Sequence, residues 1–258
     1  MIAVPLCDDL RQSYTSAVVR GCVLRLDRFT PFRLARMPAW LVGSLRADAF
    51  ARDALGGARR FPNRFELLSS SVASAPPSGL VLEFGVFEGD SISWIAKCAQ
   101  NRPDPAVYGF DSFQGLPEDW SPGYRRGAFR IDGTPSVPPN VILVKGMFQS
   151  TLGPFLDSQR EPVALVHIDS DLYSSARFVL ETLHQYNRLR ETTVLVFDEL
   201  VGAPNWWRGG EFRALQDFVT PRSLSIVFLG HAVASGSVAV CLRPTGPDST
   251  TVRMPGRE

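Results

Sequence analysis

Short runs of consecutive apolar residues alternate with helical patterns through the middle of the chain. Five runs have the length and composition of strands, at 80–83, 106–110, 141–144, 163–168 and 193–197. The stretches between them show the apolar spacing of helices, at 91–100, 151–156, 173–186 and 211–219. Because the strands are apolar on both faces, they predict a doubly wound, mostly parallel α/β sheet with helices on both sides.

Two late apolar runs, 223–229 and 237–242, follow each other without a long helix between them. They predict a terminal antiparallel hairpin strand, which completes a seven-stranded sheet of the Rossmann-like kind. A Pro, Gly and Ser cluster at 74–79 separates this sheet from the helical patterns that precede it. We therefore expect three parts, namely an N-terminal helical cap or oligomerisation segment (1–75), a cofactor-binding domain (76–242) and a flexible tail (243–258).

Composition favours a small-molecule partner. The 27 basic and 26 acidic residues give a net charge of +1, which provides no field for nucleic acid or an anionic membrane. The four cysteines include no C-x-x-C pair, so we expect free thiols in a reducing compartment. Because Asp8 and Asp9 interrupt the apolar N-terminus and no later stretch reaches the length of a membrane span, we expect a cytoplasmic protein.

The turn after the first strand, at 83–91, contains two glycines that let the backbone approach a ligand. Gly85 and Gly89 are separated by three residues, whereas the dinucleotide fingerprint needs its first two glycines one residue apart. The turn therefore favours a nucleotide-like cofactor without a pyrophosphate. The alternative is that both glycines serve only the strand-to-helix turn.

Asp111 comes directly after the second strand. An acid at that place is suited to accept hydrogen bonds from both ribose hydroxyls of an adenosine. Its spacing from Glu83 favours this role over the alternative, in which Asp111 caps a turn.

Four acids follow the next two strands of the predicted sheet, Asp169 and Asp171 after one, Asp198 and Glu199 after the other. Because parallel strands end at the same edge, these carboxylates face one another across a crevice. Their repulsion predicts a cation, and oxygen ligands favour magnesium. The alternatives are that Asp171 caps the following helix and that Glu199 faces solvent. The three histidines are expected to be structural.

Together, the motifs resemble the macrocin O-methyltransferase family, a group of metal-dependent O-methyltransferases that use S-adenosylmethionine. The resemblance covers roughly residues 76–220 and rests on the segments 83–91, 110–117, 146–149, 167–174 and 197–199. It implies the class I methyltransferase fold and a role in natural-product or antibiotic biosynthesis, with a hydroxyl of a sugar or another secondary metabolite as acceptor.

The resemblance also implies roles for individual residues. The methionine half of the cofactor would lie beside the glycine turn, the ribose beside Asp111, and the adenine beside Phe148 and Gln149. The full cofactor site that it implies comprises Glu83, Gly85, Val86, Gly89, Ser91, Asp111, Ser112, Phe148, Gln149 and Asp169. Asp169, Asp198 and Glu199 would hold the metal, here Mg²⁺ or a similar divalent cation.

Catalysis is expected to combine positioning with electrostatics, since a metal lowers the pKa of the hydroxyl that it binds. Catechol-type relatives carry a lysine base where this chain has Leu172. Asp171 is therefore the candidate base, acting beside Asp169.

Two other functions remain open from the sequence. A nicotinamide-dependent oxidoreductase would share the generic fold and the acid at Asp111, although the dinucleotide fingerprint is missing. A non-catalytic cofactor-binding scaffold would explain why the base is not obvious. Trp206 and Trp207 could cover an acceptor or could simply pack a loop, and we expect the chain to form a homo-oligomer.

Overall fold

The computed structural model describes residues 39–121, 123–202, 206, 208–232 and 234–245. Its α-helices are α1 (Ala39–Asp53), α2 (Arg64–Ser74), α3 (Asp90–Ala99), α4 (Phe148–Ser158), α5 (Tyr173–Gln185) and α6 (Gly210–Val219). Its strands are β1 (Arg59–Arg60), β2 (Leu80–Phe84), β3 (Val107–Asp111), β4 (Val141–Lys145), β5 (Val163–Ile168), β6 (Val194–Phe197), β7 (Leu224–Ala232) and β8 (Ser237–Pro244). None of the described helices is long and apolar enough to cross a bilayer.

All eight strands form one sheet in the order β1-β7-β8-β6-β5-β2-β3-β4. The five neighbouring strands from β6 to the edge strand β4 are parallel, and β8 runs antiparallel between β6 and β7. This arrangement confirms the doubly wound sheet with a late antiparallel strand. The predicted number of seven strands is wrong by one, because Arg59–Arg60 pairs with the edge of β7. Two exposed arginines show no apolar alternation, so nothing in the hydrophobic pattern predicts this strand.

Two apolar cores cover the two faces of the sheet. One core contains Leu82 and Phe84 of β2 with side chains of α1, α4, α5 and α6. The other contains Val81 of β2 with side chains of α2 and α3. Successive residues of a strand point to opposite faces, so Glu83 points to the side of α2 and α3. Side chains of α2 and α3 can therefore contact Glu83, whereas those of the opposite face cannot.

The described part of the predicted N-terminal cap packs directly on the sheet. Phe50 of α1 makes edge contacts with the rings of Trp206, Phe212 and Phe228. Leu67 and other residues of α2 belong to the second core. Residues 1–38 lie outside the described residues, as does most of the predicted tail, whose first two residues are the end of β8. The division into a cap, a domain and a tail therefore stays a prediction.

Backbone hydrogen bonds continue the parallel ladder past the ends of three neighbouring strands. Gly85 donates to the Phe110 carbonyl at 3.0 Å, and Asp169 donates to the Phe84 carbonyl at 2.9 Å. Asp198 donates to the Ile168 carbonyl at 3.0 Å. Adjacent strands lie about 4.8 Å apart. The ladder therefore sets the glycine turn (83–91) beside the two acid-bearing loops, which follow β5 at Asp169 and β6 at Asp198.

Replacing Gly85 by alanine should disrupt this edge. Gly85 has a φ of +93°, and a Cβ there would lie 1.9 Å from the Asp169 carbonyl oxygen. We expect Gly85→Ala to lower the free energy of unfolding by roughly 2 kcal/mol or more, measured by urea denaturation. Gly57→Ala is the matched control, because its Cβ would meet no atom within 4 Å. Equal stability of the two variants would contradict the close approach of the strands.

Candidate active site

Asp111 ties the glycine turn to the end of β3. Its Oδ2 accepts hydrogen bonds from the backbone N–H groups of Val86 at 2.8 Å and Phe87 at 3.0 Å. Its Oδ1 accepts from the Phe113 N–H at 2.7 Å. Asp111 therefore caps the turn, as the alternative interpretation proposed. Each carboxylate oxygen has two lone pairs, so this role leaves capacity for a ribose hydroxyl.

An open cavity of about 830 Å³, within the size range of small-molecule sites, begins at Ser112, directly after Asp111, and the 83–91 turn does not line it. Its lining includes Ser112, Gln114, Arg126, Arg130, Lys145 and Met147. The two residues predicted beside the adenine follow Met147 at the start of α4. The Phe148 ring packs edge-on against Phe84 with centroids 5.3 Å apart, and Gln149 is exposed.

Glu83 lies fully buried below the glycine turn. Its Oε1 accepts a hydrogen bond from the Ser91 hydroxyl at 2.7 Å, which links β2 to the first turn of α3. Its Oε2 is 3.4 Å from Nδ1 of His167. Gly89 caps α3 with a φ of +90°, and Val86 is buried. Of the residues predicted beside the methionine half, Gly85 and Gly89 thus form the turn, and Ser91 helps to support it.

Asp169 and Asp198, the predicted ligands from β5 and β6, are brought together with His167. Ligand atoms of these three residues all lie within 4.8 Å of one another. Neither ring nitrogen of buried His167 has a hydrogen-bond partner among the described residues. The sequence interpretation of His167 as purely structural is therefore incomplete. Glu199, the third predicted ligand, directly follows Asp198 but does not belong to this group of three, so its role as a ligand stays a prediction.

Both oxygens of Asp198 have partners from distant segments. Oδ2 accepts a hydrogen bond from the Arg64 guanidinium at 3.0 Å, and Oδ1 accepts one from the buried Ser237 hydroxyl at 3.0 Å. Burial alone lowers the pKa of Arg64, but the charges of Asp198 and Asp169 outweigh it and raise the pKa. Arg64 therefore stays cationic and partly neutralises the acids.

Glu211 joins the two acid-bearing loops. This buried side chain lies in the first turn of α6. Its Oε1 accepts the Ser170 N–H at 3.3 Å, and its Oε2 accepts the Glu199 N–H at 3.2 Å. Ser170 directly follows Asp169, and Glu199 directly follows Asp198, so both donors stand next to a predicted metal ligand. One carboxylate therefore fixes the loops of β5 and β6 relative to each other.

The acids of the site repel one another, and burial adds to the cost of ionising them. Burial raises the pKa of Asp169 well above its usual range, and Asp198 and Asp171 raise it further. Burial also raises the pKa of Glu211, with added repulsion from Asp171 and Asp198. The pKa of Asp171 rises to about 7, through burial and then the charges of Glu199 and Asp198. A divalent cation would relieve this repulsion, and the oxygen donors of Asp169 and Asp198 fit one.

Sequence reasoning missed four residues of the site, namely Arg64, His167, Glu211 and Ser237. Glu211 gave little signal, because an acid in the first turn of a helix is ordinary and its burial is visible only in the structure. Ser237 and Arg64 gave no signal, since their contacts with Asp198 span 39 and 134 residues.

Trp206 packs a loop, because its indole is buried and donates to the Gly43 carbonyl at 3.0 Å. Trp207 lies outside the described residues.

The same region matches known methyltransferases. Residues 82–200 match a family model described as a methyltransferase domain. The crystal structure of CalS11, a calicheamicin methyltransferase, is similar with a TM-score of 0.55 and 20% identity over 93% of this chain and 94% of that chain. Apo CalS11, described as a TDP-rhamnose 3'-O-methyltransferase, gives 0.50 and 19% over 93% and 96%. No curated protein matches the chain in sequence.

The matched segment runs from β2 to the loop after β6. It therefore contains the glycine turn, Asp111 and both acid-bearing loops. The similar structures share the fold, and the domain match classifies the chain as an enzyme of the methyl-transfer class.

The raised pKa of Asp171 predicts a pH-dependent stability. Between its unfolded pKa, about 4, and its folded pKa, the folded chain binds more protons than the unfolded chain. The free energy of unfolding of the metal-free protein should therefore fall by on the order of 1–3 kcal/mol as the pH rises from about 5 to 8. Urea denaturation in the presence of EDTA measures this slope. Asp171→Asn should reduce it, and an unchanged slope in that variant would contradict the assignment.

Proposed function

We propose that this protein is an S-adenosylmethionine-dependent O-methyltransferase that uses Mg²⁺ or a similar divalent cation. The observation that carries the proposal is the ladder that sets the turn bound by Asp111 beside the loops of Asp169 and Asp198. A cofactor turn and a cation site at adjacent strand ends suit the transfer of a methyl group to a hydroxyl whose acidity a cation would raise.

The glycine turn and the cavity beside Asp111 suit the cofactor. Gly85 and Gly89 allow the backbone to approach its methionine half, and Glu83 and Ser91 support the turn from below. Asp111 and Ser112 are proposed to bind the ribose. Phe148 and Gln149 are proposed to lie against the adenine.

Asp169 and Asp198 are the proposed carboxylate ligands of the cation, with Glu199 as the third, and His167 lies close enough to add a nitrogen donor. The bound cation supplies positive charge that lowers the pKa of the acceptor hydroxyl. Because the oxygens come from adjacent strands tied together by Glu211, the protein fixes their spacing before a ligand arrives.

Asp171 is the proposed base. Burial, the largest cause of its raised pKa, makes this carboxylate a stronger proton acceptor than an exposed aspartate. The acceptor hydroxyl loses its proton to Asp171 as its oxygen takes the sulfonium methyl group, which leaves S-adenosylhomocysteine as the product. Leu172 is buried, so the position of the catechol-type lysine offers no competing base.

The proposed acceptor is a hydroxyl of a sugar or another secondary metabolite, in natural-product biosynthesis. CalS11, the protein of both similar structures described above, supports this choice, since it is described as a calicheamicin methyltransferase and as a TDP-rhamnose 3'-O-methyltransferase. The nicotinamide alternative has less support, because the turn lacks the dinucleotide spacing and residues 82–200 match a methyltransferase domain.

Calorimetric titration with S-adenosylhomocysteine tests the cofactor assignment. We expect the wild type to bind it, Asp111→Ala to bind at least about tenfold more weakly, and Asp198→Ala, a change outside the predicted cofactor site, to keep cofactor binding while losing Mg²⁺ binding. Gly57→Ala is again the control for an unrelated change. Binding of NAD but not S-adenosylhomocysteine by the wild type would instead favour the oxidoreductase.

Asp171→Asn tests the base. With an acceptor found by screening sugars and glycosylated metabolites, we expect kcat to fall by about 10²-fold or more, because a positioned base contributes that much. Affinity for S-adenosylhomocysteine should not change. Turnover equal to that of the wild type would exclude Asp171 as the base.

A further inference from the structure

Arg64 is a cation that lies directly on a proposed metal ligand. It is the first residue of α2, and its NH1 donates to Oδ2 of Asp198 at 3.0 Å. The Arg64 side chain is 33% exposed and that of Asp198 is 10% exposed. The ion pair is therefore reachable from solvent on the arginine side and enclosed on the aspartate side.

The position of Arg64 in its helix is electrostatically unfavourable. The N-terminus of a helix carries partial positive charge, so a cation there is repelled. Asn63 already caps this end, because its side chain accepts the Glu66 N–H at 3.0 Å. The favourable interaction that offsets the repulsion comes from the acids of the site, above all Asp198.

The backbone of α2 delivers Arg64 to the site from a fixed position. Leu67 and Leu68 are buried in the core shared with α3. The Phe65 ring packs on Trp94 with centroids 5.2 Å apart, and the Arg64 guanidinium lies 5.2 Å from the Phe65 ring centre. The long side chain of Arg64 can change direction while its Cα stays in place.

The two oxygens of Asp198 differ in how exposed their hydrogen-bond partners are. One of these partners can therefore be replaced while the other stays in place. Oδ1 is held by Ser237, whose side chain is buried at the start of β8. Oδ2 is held by Arg64, whose side chain is partly exposed. Loss of the Arg64 contact therefore frees one oxygen while the Ser237 contact keeps the carboxylate in position.

We propose that Arg64 and the divalent cation compete for Asp198. In the metal-free protein Arg64 supplies positive charge to the acid cluster, and a bound cation weakens or displaces that ion pair. Arg64 thereby lowers the metal affinity of the site and lets the carboxylates pack together before the metal arrives. The inference rests on the proposed cation site but not on the identity of the acceptor.

Calorimetric titration of metal-free protein with Mg²⁺, without acceptor, tests the competition. We expect Arg64→Gln to bind Mg²⁺ at least about fivefold more tightly than the wild type, because a competing cation is removed. Arg64→Gln should also melt at a lower temperature in EDTA and gain more in Tm from Mg²⁺. Arg64→Lys, which keeps the charge, should stay close to the wild type. Arg177→Gln, which breaks a helical ion pair with Glu181, is the matched control.

Three results would overturn the proposal. One is unchanged or weaker Mg²⁺ binding by Arg64→Gln. Another is a loss of S-adenosylhomocysteine affinity in that variant with unchanged Mg²⁺ affinity, which would assign Arg64 to the cofactor carboxylate. The third is a wild type that binds S-adenosylhomocysteine but no divalent cation, which would leave the methyltransferase assignment standing. A wild type that binds neither ligand would contradict the proposed function itself.

A second measurement covers the case in which Arg64→Gln does not fold. The Nε–H NMR signal of Arg64, assigned by its absence in Arg64→Lys, is followed during Mg²⁺ titration of the wild type. We expect it to lose the shift of an ion-paired guanidinium as Mg²⁺ binds. A signal that does not move at saturating Mg²⁺ would contradict the competition.

Discussion

Repulsion between carboxylates at one edge of the sheet is the constraint on which the site depends. The parallel ladder sets Asp169 beside Asp198, at a strand spacing that no side-chain rotation can relax fully. Burial strengthens this repulsion, because a low-dielectric surrounding screens charge poorly. The fold can keep such acids together with donors or cations that face them, or by raising their pKa values so that they bind protons.

Helices on both faces of the sheet supply side chains that contact the acids or hold their loops. From one side, α2 brings Arg64 to Asp198 and α3 brings Ser91 to Glu83. From the other, α6 brings Glu211, which fixes two backbone amides but adds another negative charge. The repulsion that remains between the carboxylates is a reason for a divalent cation. It also links the stability of the metal-free fold to the chemistry proposed for the site.

The sequence predicted the central parallel sheet and the edge at which the site lies, because buried strands and the acids after them are local signals. It also placed Asp169 and Asp198 correctly next to each other. It could not predict β1, whose two arginines pair with β7 only through their backbone. Nor could it predict that Arg64 and Ser237 meet on Asp198, since such contacts follow from the packing of segments far apart in the chain.

The central claim is that the acids of β5 and β6 form a cation site beside a cofactor turn. A crystal structure of the protein grown with Mn²⁺ and S-adenosylhomocysteine, with anomalous data collected for manganese, tests it directly. The account predicts one strong anomalous peak within bonding distance of carboxylate oxygens of Asp169 and Asp198, with the ribose against Asp111. Ordered S-adenosylhomocysteine without a peak between those two aspartates would contradict the metal-assisted mechanism.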